Sequence, residues 1–130
     1  MDTDFLVVDL MCLILEYEDA LTQVPEDSLE HVNIFGSILL CKESISMLKA
    51  GRSVSELRSN VYRIQQLFVN DKNRECEAYK STIEVTGKII NLIDEFVNAS
   101  KESLDKDNSK AVIEPLVKDS NLDPDDDIDI

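Results

Sequence analysis

The chain has 130 residues, with 27 acidic and 13 basic side chains and a formal net charge of -14. That length accommodates one domain of ordinary size, and a 43% hydrophobic content is enough to fill a core. The acidity argues against a protein whose main task is gripping phosphate backbones, since that binding rests on releasing counterions from a basic surface.

Three Gly and three Pro leave few of the tight turns that many short strands would need. The chain therefore reads as all-α: a bundle of about four antiparallel helices over residues 1–100, followed by a disordered acidic tail over 101–130. A second arrangement fits the same pattern, with two shorter helices and one long coiled-coil helix.

The first helix is expected from about Asp4 to Gln23, with Asp2 or Thr3 as cap and Pro25 ending the segment. Leu6, Leu10, Leu13, Tyr17 and Leu21 recur at helical spacing, while Val7, Val8, Met11, Cys12, Ile14 and Leu15 widen the apolar stripe. The stripe is wider than one neighbour covers. Part of it either lies central to the chain's own bundle or is completed by a partner chain.

The second helix is expected from about Ser28 to Ala50. Its stripe is Ile34, Ile38, Cys41, Ile45 and Leu48, and Gly36 inside the pattern marks a close approach or a slight bend. Gly51 suits the left-handed stop after Lys49 and Ala50. Ser53-Val54-Ser55-Glu56 then has the form of a capping box.

The third stretch, Val54 to about Val69, carries the cleanest heptad: Val54, Leu57, Val61, Ile64 and Phe68. Continued, that register would place Asp71 and Glu75 in the core. A new register starts instead with Cys76, Tyr79, Ile83, Thr86, Ile90, Ile93 and Val97. A turn at Asn70-Asp71-Lys72-Asn73 explains the slip, and so would one helix of about 48 residues with a displaced repeat. Periodicity stops near Ser100. Residues 101–130 hold ten acids and four lysines, with an apolar island at 111–117 and, at 123–130, aspartates mixed with Ile128 and Ile130, either of which could serve as a short recognition segment.

The charge is unevenly spread. Residues 1–41 contain nine acids and no Lys or Arg, whereas residues 42–100 contain eight acids and nine bases. An acidic flank steers basic partners and repels acidic ones.

No catalytic pattern emerges. The single histidine, His31, has no Glu three residues before it, so a Glu-x-x-His carboxylate-bridged metal site cannot be built in the usual way. P-loop, GxGxxG and EF-hand motifs are absent. Cys12, Cys41 and Cys76 are widely spaced and suit small buried hydrophobes. The expectation is no enzyme, no cofactor, no metal and no nucleic-acid partner.

No apolar run reaches the roughly 18 to 20 residues of a membrane span, and the start Met1-Asp2-Thr3-Asp4 is unlike a secretory signal. A cytoplasmic or nuclear location is expected. The leading functional reading is a non-catalytic helical subunit or scaffold that assembles with other helical proteins, or with copies of itself, in a larger complex. Its expected interface residues are Leu6, Leu10, Leu13, Val54, Leu57, Val61, Ile64 and Phe68. Two other readings are a self-contained adaptor holding a peptide or amphipathic helix in a groove, and an acidic chaperone of a basic client. In type, though in no motif, the chain resembles small helical subunits of kinetochore, spindle or membrane-tethering assemblies.

Overall fold

The computed structural model describes residues 2–117, with side chains through Lys101. It contains four helices and, among the described residues, no strand: α1 (Asp4–Leu21), α2 (Leu29–Lys49), α3 (Val54–Val69) and α4 (Glu77–Val117). The chain divides into two units at Phe96.

Within the first unit, local chemistry sets each boundary. Asp2 Oδ1 accepts the Asp4 amide at the start of α1, at 2.9 Å. Ser28 caps α2 by accepting the His31 amide at 3.1 Å. The end of α2 is a Schellman turn: Gly51 donates to Leu48 O at 3.1 Å and Arg52 to Met47 O at 3.0 Å. Gly51 takes φ 87°, a conformation that glycine adopts without a Cβ penalty. Two residues later the capping box forms as expected. Ser53 Oγ accepts the Glu56 amide at 3.0 Å, and Glu56 Oε1 accepts the Ser53 amide at 3.2 Å.

The register slip is a turn. Residues 70–76 leave the helix, and Asp71 Oδ1 accepts the Asn73 amide at 2.8 Å. The single long helix over residues 54–100 is therefore excluded, because α3 and α4 fold back as a hairpin. Phe68 meets Tyr79 edge-on across its closed end, centroids 4.8 Å apart. Arg58 meets Asp94 toward the open end.

The same antiparallel relation joins the other neighbours. Lys88 of α4 lies over the Tyr17 ring of α1, 5.1 Å from its centroid. On the α2–α3 side, Asn60 donates to Met47 Sδ at 3.7 Å. The fully enclosed centre comprises Leu6 and Leu10 from α1, Cys41 from α2, Leu57 from α3, and Val85, Thr86, Ile89 and Ile93 from α4. Ser37, Ser44 and Thr86 are buried polar residues whose hydroxyls donate to carbonyls three or four residues back, which satisfies them locally. Gly36 has no neighbour near where a Cβ would stand, so it marks no close helix approach.

The backbone stays helical beyond Ser100, to Val117. The apolar stripe has already ended there, in keeping with the expectation of an acidic tail beyond the bundle. Residues 118–130 lie outside the described residues, and so does the reading of that stretch.

Candidate interaction surface

The eight residues expected at an interface divide by burial. Leu6, Leu10, Leu13, Val54, Leu57 and Val61 are buried in the chain's own bundle, and Ile64 and Phe68 are half-buried on α3. The cleanest heptad is thus covered mainly from within, by α4 folding back along α3. A long rod would have left it open.

A different set of apolar side chains reaches solvent. On α1 these are Phe5 (76% exposed), Val8, Met11 and Leu15 (63%). Their spacing of three, three and four residues puts them on one face, opposite the buried Leu6, Leu10 and Leu13. On α2 they are Leu29 (81%), Val32 (62%), Phe35 and Leu39, again one face, opposite Ile38, Cys41 and Ile45. α1 and α2 are packed neighbours, so two adjacent helices each carry an outward apolar stripe. The sequence signal for this face was present in the excess width of the first helix's stripe, but the pattern alone did not say which side of it a neighbour would take.

The charge along α1 has one sign, whereas the α2 stripe has exposed Lys42 beside Leu39 at its edge. At 100° per residue, Asp9 and Glu16 border the α1 stripe on one side and Glu18 on the other, Asp4 stands at its N-terminal end, and no Lys or Arg occurs before Lys42. Asp9 and Glu16 also line a groove against α4, with Cys12, Lys88, Leu92 and Glu95, of about 330 Å³. A second groove, of about 520 Å³, opens where the start of α2 meets the start of α4; Leu29, Ile34, Cys76 and Ala78 give it an apolar wall.

The titratable groups inside the bundle have structural settings. Burial pushes the Cys41 thiol up to about 11, partly offset by Lys88 nearby. It therefore stays protonated at neutral pH and fills space. Burial also raises Tyr17, against the lowering influence of Lys88. For Lys88 burial opposes the charge, but Tyr17 and Glu84 outweigh it and hold the ammonium above its usual value. His31 sits in the first turn of α2, where its backbone amide is used by the Ser28 cap. Among the described residues no three His, Cys, Asp or Glu side chains converge as a metal ion would require, and no helix is long and apolar enough to cross a membrane. The described residues present outward apolar stripes on α1 and α2 beside acidic side chains, and grooves at α1–α4, α2–α4 and on α3. No family model, curated protein or solved structure matches the chain.

Proposed function

We propose that this chain is a non-catalytic helical subunit that assembles with other helical proteins in a larger cytoplasmic or nuclear complex. The observation that carries this reading is the pair of outward apolar stripes on α1 and α2, on a bundle whose centre is already filled by its own four helices. Scattered exposed apolar residues are ordinary, but eight large ones gathered in two stripes on neighbouring helices support an interaction site. Three free cysteines support a reducing compartment.

The adaptor reading keeps one specific support, the apolar-walled opening between the starts of α2 and α4. The outward faces of α1 and α2 offer the longer runs of apolar side chains.

Affinity purification of the tagged chain from cells that express it, with quantitative mass spectrometry and cross-linking, tests the subunit reading. The expected result is a small set of proteins recovered in constant stoichiometry, in a particle well above the 14.7 kDa of the chain. A chain recovered alone as a monomer that binds no hydrophobic dye would overturn it.

A further inference from the structure

We infer that the outward face of α1 and α2 receives an amphipathic helix from a partner protein, one whose apolar stripe is bordered by Lys and Arg. This rests on the subunit reading and names the chemistry of the partner. Phe5, Val8 and Leu15 on α1 and Val32, Phe35 and Leu39 on its packed neighbour α2 stand out as apolar ridges on the two helices. An added helix packs against such ridges with its side chains seated between them, which is the ordinary way helices meet. An extended segment is disfavoured, because helices offer no free strand edge to pair with. From Phe5 to Leu15 the α1 stripe covers about 15 Å at 1.5 Å per residue, the length of about three turns of a docked helix.

Charge selects among the occupants. A second copy of the chain would bring the acidic α1 segments together, with Lys42 at the edge of the α2 stripe the one base of the face to answer nine acids in residues 1–41. Like charges placed together at an interface are costly and are a common device against self-pairing. An anionic lipid surface meets the same repulsion. A helix flanked by Lys and Arg instead has its cations set against Asp9, Glu16 and Glu18 along the borders of the α1 stripe, which speeds encounter and fixes orientation, while the apolar side chains supply most of the affinity.

The test uses the full chain and a synthetic helical peptide of about 18 residues, with Leu at heptad positions and Lys on the flanks, followed by fluorescence anisotropy. Its counterpart carries Glu in place of Lys. The Lys peptide is expected to bind with a micromolar Kd that weakens about tenfold in high salt, while the Glu peptide binds at least about tenfold more weakly. The double variant Leu15→Ser, Phe35→Ser should weaken binding of the Lys peptide by about tenfold or more. The double variant Tyr62→Ser, Leu67→Ser, on exposed α3 positions, should leave it unchanged. All four sites are at the surface, and circular dichroism confirms that each variant is folded.

No binding of the Lys peptide, equal binding of the Glu peptide, or an equal loss in the α3 variant would overturn the inference. So would dimerisation, or adsorption to anionic vesicles, that the α1–α2 variant abolishes. Failure here is separable from failure of the subunit reading. Stoichiometric partners whose cross-links avoid α1 and α2 leave that reading standing and defeat this inference. Peptide binding at α1–α2 without any stoichiometric partner does the reverse.

Discussion

Arg58 of α3 holds Asp94 of α4 through two parallel hydrogen bonds, Nε to Oδ1 at 2.7 Å and Nη2 to Oδ2 at 3.1 Å. The pair is the bidentate link across the α3–α4 hairpin, joining residues 36 apart in the chain. Both side chains are about half exposed, so the pair fixes how the two helices lie beside each other more than it adds to stability. The hydrogen bonds from Arg58 hold the Asp94 carboxyl below its usual value, against a small opposing effect of burial.

The sign of the pH dependence follows. Asp94 has a folded-state pKa below its unfolded value near 3.8, so its contribution is present above about pH 4 and is lost as pH falls through the lowered folded value. The expected outcome is that Asp94→Asn melts slightly below the parent at neutral pH, with the gap closing in acid and in high salt. Melting curves across pH check it. Arg58→Lys should show part of the same loss, because an ammonium cannot make the paired contact.

The three cysteines differ in reach. Cys41 is fully enclosed and its thiol is held up near 11, whereas Cys12 and Cys76 are exposed. A thiol reagent at neutral pH should label two cysteines quickly in the folded chain and all three in denaturant. Because the folded pKa of Cys41 lies above its unfolded value of about 9, its contribution is complete below that pH and is lost as pH rises toward about 11. Cys41→Ala should lack that alkaline decline.

Core and face should separate in a denaturation series. Leu10 and Leu57 are both completely enclosed, so replacing either by Ala should cost about 2–5 kcal/mol by lost burial and a residual cavity. Phe5→Ala and Leu15→Ala, on the outward face, should change stability by no more than about 0.5 kcal/mol. Urea midpoints distinguish the two groups.

The α2–α3 corner offers two local tests. Ser53→Ala removes the acceptor for the Glu56 amide and half of the capping box, with an expected loss of about 1 kcal/mol. Gly51→Ala meets no steric neighbour, so its expected loss of about 1 kcal/mol isolates the strain of a Cβ at positive φ. Thermal melts of the two single variants measure both.

The sequence alone located the first two helices, their stops and the start of the third, and left open whether the slip at Asn70–Asn73 was a turn and where α4 ends. Residue spacing, the Ser53–Glu56 box, Gly51 and the slip at Asn70–Asn73 depend on interactions within a few residues, and these are written locally. It also placed nine acids on the first 41 residues with no base to balance them. Only the tertiary structure decided which apolar faces are covered. Periodicity shows that a face is apolar, but covering depends on a neighbour that arrives from far along the chain. The α3 heptad looked like the open seam and is covered from within because residues 70–76 turn α4 back onto it. On α1, apolar nearly all round, packing took Leu6, Leu10 and Leu13 inward and left Phe5, Val8 and Leu15 at the surface. The acidic flank marked out at the outset is therefore the border of an apolar face, and burial of one side of α1 is what exposed the other.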